Sequence, residues 1–340
     1  MTKKRPIDIQ RDSAGHLDVG TPDDESAITD VFSIGGSLYV IKEKGIYQVK
    51  LADEIDPKRT NPKVPNTHQR ILAYGSDNEI VGHIFLTAKH LFDPAYLGRS
   101  FDHERALALT FDALKDLLAM HEILMSIEEA EARAKASYSA SRGKGGALGL
   151  PSVGDLTPQG KSYIQKAHHA LKALLAIVKV FYGTNAASAR FQALAKLAED
   201  RYGKDGPFAE FMRRELPALQ FIWNMRTCVE HPKPNEYISY RDFSLDAGTA
   251  TILPPTIEVV HPETPQQPVS VTALMKRATD QIVFIFEGMI AHLCNSNVER
   301  CGGMEVRVVE LPLERCPNKN VRLTYEVLRP GPTSPGSEAG

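Results

Sequence analysis

The chain has 340 residues, 42% of them apolar or aromatic and 24% charged, which is ample for a core and excludes wholesale disorder. Its formal net charge is −2. A protein that grips long nucleic acid through phosphate neutralisation carries a clear basic excess, so any nucleic-acid contact here has to be local.

Residues 1–30 are charged and turn-rich and read as a flexible tail. The polar opening from Met1 to Gln10 lacks the apolar stretch of a signal peptide. Within residues 31–60, Leu38-Tyr39-Val40-Ile41 and Ile46-Tyr47-Gln48-Val49 flank the turn-like Lys42-Glu43-Lys44-Gly45, the pattern of a β-hairpin.

Residues 61–235 change period. Ser76 with Glu79 three residues on forms a capping-box pattern, and Val81, Ile84, Phe85, Ala88, Leu91 and Phe92 follow at helical spacing. A second, long helix is expected over 103–136, with Leu107, Phe111, Leu114, Leu117, Leu118, His121 and Leu124 on one stripe and its far end in solvent. On that stripe His121 reads as a satisfied core histidine. Residues 139–155, rich in Gly and Ser, read as a loop. Thr157-Pro158 supplies an N-cap and a first-turn proline for a third helix, which carries Ile164, Ala167, Leu171, Leu174, Val178 and Phe181 and stops at Gly183. A fourth helix is expected over 186–202. A fifth runs over 207–230, with a possible kink at Pro217, and is ended by His231-Pro232-Lys233-Pro234.

Residues 236–328 read as an accessory α+β region. Strands are expected over 236–243 and 251–260, a proline-spaced connector over 262–268, a helix over 271–295, and a strand pair from 306–311 with Val321, Leu323, Tyr325 and Val327. The helix over 271–295 is interrupted by Lys276, Arg277, Asp280, Gln281 and Glu287 and cannot span a membrane. Residues 329–340 form a Pro/Gly/Ser tail. Four cysteines, Cys228, Cys294, Cys301 and Cys316, make no disulfide framework in a chain this long, and a cytoplasmic protein is expected. The fold class is mainly α within α+β: a multi-helix bundle between an N-terminal hairpin and a β-rich C-terminal region, whose strands are compatible with one shared sheet.

The fifth helix carries the chemistry. On a wheel centred at Leu219, Phe208, Met212, Leu216, Ile222 and Trp223 fall within about 60°, and Arg226 and Glu230 within about 20°. Charges on an apolar face require a partner or a cleft. One account pairs Arg226 with Glu230, four residues apart. The other adds His231: Arg226-Thr227-Cys228-Val229-Glu230-His231 resembles the Arg-x4–6-His signature of the HEPN superfamily, at the end of the last helix of a block of suitable size. Thr227 follows the arginine where that family usually carries Asn, Asp or His, a departure that bears on catalysis more than on fold.

The resemblance implies a HEPN-like bundle over 61–235 and metal-independent RNA cleavage without a cofactor. His231 would act as general acid or base and Arg226 as phosphate clamp. It also implies a toxin or antiviral effector, with an RNA substrate and an antitoxin or regulatory protein as partners. Five helical residues turn through about 500°, leaving Arg226 and His231 about 140° apart. The helix must therefore unwind near Glu230, or a second subunit must complete the site; a homodimer with the fifth helix at its seam is expected. Glu230 and Asn224 have supporting roles, and Arg213 and Arg214 form a weak RNA-steering patch. The alternative is a non-catalytic helical interaction or scaffold protein of the same fold.

Other signals are discounted. The run from Gly154 to Ser162 has five residues between its glycines where a phosphate loop needs four, and no strand before it. His168 and His169 diverge by about 100° on a helix and do not chelate one metal simply; with Lys161, Lys166 and Lys172 they read as a solvated basic surface. Cys294 and Cys301 lack the paired histidines of a zinc site.

Overall fold

Proline in a first helical turn gives up no hydrogen bond, and Pro6 opens α1 (Pro6–Asp12). The fold is described by a computed structural model for residues 4–13, 18–21, 24–141, 148–183, 190–299 and 304–328. The helix α1 replaces part of the expected tail, and the reason lies in distant sequence. Arg11 reaches Asp53 at 2.8 Å and Asp56 at 3.1 Å, and Arg59 reaches Asp12 at 2.8 Å.

The hairpin is the centre of an antiparallel meander of β1 (Ile28–Ile34), β2 (Ser37–Lys42), β3 (Gly45–Lys50) and β4 (Thr67–Leu72), in that spatial order. Gly35 and Gly36, at φ +56° and +75°, supply the left-handed backbone of the β1–β2 turn. A single turn, α2 (Ala52–Ile55), interrupts the path to β4. The helix after Ser76 is capped by Asn78, whose Oδ1 accepts from the N–H of Ile80 and Val81 at 3.0 and 3.4 Å, and not by the Ser76–Glu79 box. It contains a π-helical stretch over Val81–Leu86 and continues as α3 (Thr87–Leu91). A short α4 (Pro94–Leu97) follows.

Four long helices follow the expected pattern: α5 (His103–Ser141), α6 (Leu156–Tyr182), α7 (Phe191–Tyr202) and α8 (Pro207–Glu230). The expected start of the fourth helix, at 186, lies outside the described residues. Two details shift. The N-cap of α6 is Asp155, not Thr157, and α8 runs unbroken through Pro217. Gly183 ends α6 at φ +79° as expected. His121 is half-buried, its ring edge-on to Tyr74 with centroids 5.5 Å apart.

The C-terminal part holds β5 (Tyr237–Arg241), β6 (Ser244–Leu245), β7 (Ile252–Leu253), β8 (Thr256–Val260), β9 (Gln266–Ser270), α9 (Val271–Asn297), β10 (Glu305–Glu310) and β11 (Leu323–Leu328). The expected connector thus contains a strand. β9 lies at the edge of a β5-β8-β9 sheet, where the missing N–H of Pro268 is tolerated at a register shift. β10 and β11 pair with each other and do not join the N-terminal sheet. Tyr325 docks the hairpin on the helices instead: its hydroxyl donates to the Leu91 carbonyl at 2.7 Å, and its ring stacks on Tyr96 at 4.0 Å.

One apolar core joins these pieces. Leu114 of α5, Leu171 of α6, Leu219 of α8 and Ile282, Phe286 and Met289 of α9 are all fully buried in it. α9, which sequence places in an accessory region, is therefore part of the helical core. The fold is helix-dominated α+β. Among the described residues no helix is long and apolar enough to cross a membrane.

Candidate functional site at the end of α8

The residues of α8 that are buried first follow the expected stripe: Phe208, Met212 and Leu219. Its last buried positions are Ile222, Met225 and Cys228, a row of three-residue steps. Each such step turns about 300°, so the buried face drifts about 60° per step and has moved to the other side of the helix by Cys228. Sequence averaging over the whole helix hides this drift. As a result Arg226 and Glu230 emerge from the core: each side chain is 29% exposed. Glu215, inside the stripe, is buried and held by Gln281 at 2.6 Å and Arg214 at 2.6 Å.

Arg226 and Glu230 form an ion pair along the helix. The Arg226 Nε–H is nevertheless buried without a hydrogen-bond partner, so the carboxylate satisfies only part of the guanidinium fork. His231 is the C-cap residue. Its N–H still bonds the Thr227 carbonyl at 2.9 Å, but its backbone has left helical geometry at φ −133° and ψ 59°. The residue is exposed, and its imidazole makes no hydrogen bond to the described residues. Helical geometry persists through Glu230, so the expected unwinding begins only at His231 itself.

The histidine whose field meets Arg226 is His168, on α6, which sequence reading assigned to a basic surface. Its ring packs edge-on against Trp223 with centroids 4.7 Å apart, and the residue is 5% exposed. Its Nε2 is buried and unpartnered. Burial, reinforced by the charges of Arg226 and Lys172 and by His169, pushes its pKa down to about 4, against a smaller opposing pull from Glu230. His168 was legible in principle: it stands four residues after Ile164 and three before Leu171, on the buried stripe of α6. His169 and Lys172 are exposed beside it.

The supporting residues disperse. Asn224 donates to Thr264 Oγ1 at 3.1 Å and ties α8 to the loop before β9. Arg213 donates to the Lys204 carbonyl at 2.6 Å, and Arg214, besides pairing with Glu215, lies over the Phe211 and Phe284 rings at 5.7 and 5.8 Å; both sit at the opposite end of α8 from Arg226. Among the described residues no group of His, Cys, Asp or Glu is arranged to hold a metal. Cys228 and Cys294 are buried thiols, and Cys301 lies outside the described residues. Gly160, in the discounted phosphate-loop run, instead gives Tyr240 room: a Cβ there would fall 2.4 Å from its ring. No protein-family model, curated protein or solved structure matches the chain.

Proposed function

We propose that the chain is a HEPN-like, metal-independent endoribonuclease whose site is the end of α8. Arg226 holds the scissile phosphate. His231 takes the proton of the 2′-hydroxyl as that oxygen attacks phosphorus, or supplies one to the departing 5′-oxygen. The guanidinium stabilises the charge that grows on the phosphoryl oxygens. The observation that carries this reading is the incomplete satisfaction of Arg226, a partly exposed guanidinium with a buried, unpartnered Nε–H beside an unencumbered imidazole at the helix end. An arginine kept for packing alone is expected to have its fork filled. Because Arg226 is paired along α8 with Glu230 and His231 stands at the C-cap, the reading includes a homodimer in which α8 ends from two copies form each site. A toxin or antiviral role, restrained by an antitoxin or regulatory protein, belongs to the same proposal through the motif's resemblance.

Mixing two separately inactive variants tests the shared site. Arg226→Ala and His231→Ala chains combined as heterodimers regain part of the wild-type RNA cleavage if each site draws on both copies. No recovery from demonstrated heterodimers refutes that arrangement.

The Arg226–Glu230 pair favours a second reading, a non-catalytic helical interaction protein in which the pair is structural. Glu230→Gln separates the two. The nuclease reading expects cleavage retained or raised because Arg226 is freed, whereas the scaffold reading expects only a stability change and no cleavage by any variant.

A further inference from the structure

We propose that the α6–α8 contact around Trp223 opens into a pocket for a phosphate group, with His168 and Arg226 as its donors and Glu230 as the internal anion paired with Arg226 at rest. It deepens the nuclease reading by naming how substrate phosphate is held inside one chain, and rests on that reading for the identity of the ligand only.

This region holds unused hydrogen-bonding capacity. Two buried nitrogens, Arg226 Nε and His168 Nε2, have no partner. Leaving either unsatisfied is unfavourable, and both belong to groups that bind oxyanions. Trp223 connects them: it touches His168 ring to ring and lies three residues before Arg226, on an adjoining part of the same face. The charged and titratable groups that bear on His168 are Arg226 and Glu230 from α8 and Lys172 and His169 from α6. With His168 neutral and His169 counted neutral, they sum to one net positive charge. Glu230 is the only anion among them.

Glu230 is a replaceable anion. Its side chain is 29% exposed and sits on the last turn of α8, so a rotamer change carries the carboxylate into water. An incoming phosphate oxygen then accepts from Arg226 and from His168. The imidazole, held neutral at rest by burial and by cationic neighbours, takes a proton from solvent as the anion arrives. Carboxylate leaves the fork, phosphate enters it, and one proton from solvent forms an N–H bond at His168 Nε2; no other covalent bond changes.

The test follows imidazole nitrogen resonances of the full chain near neutral pH while inorganic phosphate replaces chloride at constant ionic strength. The expected result is that His168 Nε2 shifts and gains a proton, and that His168→Gln weakens phosphate binding about tenfold. Glu230→Gln, at a partly exposed position that tolerates the change, is expected to tighten it by about the same factor. Shifts confined to exposed imidazoles such as His169, or Glu230→Gln binding no more tightly than wild type, overturn the pocket. A 2′-O-methyl oligoribonucleotide, which cannot be cleaved, separates the two proposals. If it displaces phosphate from His168, the pocket takes strand phosphate. If it leaves His168 unmoved while free phosphate shifts it, the pocket stands for a small phosphate ester and the nuclease reading falls.

Discussion

Trp223 of α8 meets His168 of α6 edge to face, with ring centroids 4.7 Å apart. Trp223 is the single tryptophan of the chain, so its emission reports on one place. A protonated imidazole quenches indole fluorescence. Because burial pushes the His168 pKa down to about 4, emission is predicted to stay level from pH 7 to about 5 and to fall near pH 4, while far-ultraviolet dichroism shows the fold intact. His168→Gln removes the transition. A quench centred near 6.5 contradicts the buried, neutral state of this histidine.

His292 of α9 stacks on Phe208 at 5.4 Å with planes 7° apart and also touches Phe211 at 4.7 Å. Burial, aided by Arg214, lowers its pKa to about 4. The unfolded chain therefore binds a proton that the folded chain resists between the ordinary value, about 6.5, and about 4. Stability contributed by the neutral ring is present above about 6.5 and is lost as pH falls through that window, by at most about 1.4 kcal/mol per pH unit. Urea unfolding at several pH values checks this. His292→Phe is predicted to flatten the dependence, and an unchanged slope counts against the assignment.

His83 works with the opposite sign. Its Nδ1 lies 2.9 Å from Glu287 across the interface with α9, and this hydrogen bond raises its pKa despite the opposing effect of burial. The contribution of the pair is present below the unfolded value and disappears as pH rises through the raised folded value. His83→Gln is predicted to cost more stability at pH 6 than at pH 8, by a difference on the order of 1 kcal/mol or less for a partly exposed pair. Equal losses at both pH values sink this account.

Gly160 lets β5 lie close on α6. A Cβ at this position would fall 2.4 to 2.5 Å from the Tyr240 ring and hydroxyl, and the ring is partly buried where it sits. Alanine improves helix propensity by about 1 kcal/mol, but displacing Tyr240 costs about 1–3 kcal/mol. Gly160→Ala is therefore predicted to be neutral to destabilising in thermal unfolding, and Gly160→Ala with Tyr240→Leu more stable than Gly160→Ala alone. A stabilised single variant contradicts the steric argument.

Periodicity made the long helices legible, α8 to the residue, because each stripe is set by local spacing. Local misreadings shift a cap by a residue or two, Asn78 for Ser76 and Asp155 for Thr157, and the larger errors fall where a distant partner decides. Arg11 becomes helical against Asp53 and Asp56, and Tyr325 takes the C-terminal hairpin to Leu91 rather than to the N-terminal sheet. At the site, the pairing of Arg226 with Glu230 followed from four-residue spacing. The burial of His168 could be read from the stripe of α6, but its contact with Trp223 could not, because it depends on how α6 crosses α8, which no local pattern records. The drift of the buried face from Leu219 to Cys228 likewise appears only once β5 and β8 pack beside the last turns of α8.

The most direct measurement is cleavage of labelled RNA by the purified chain in excess chelator, comparing wild type with His231→Ala after both are shown to be folded. Wild type is predicted to cleave and the variant to lose about a hundredfold or more of that activity, with stability changed by less than about 0.5 kcal/mol because the imidazole is exposed. Undiminished cleavage by His231→Ala, or none by wild type, contradicts the nuclease reading.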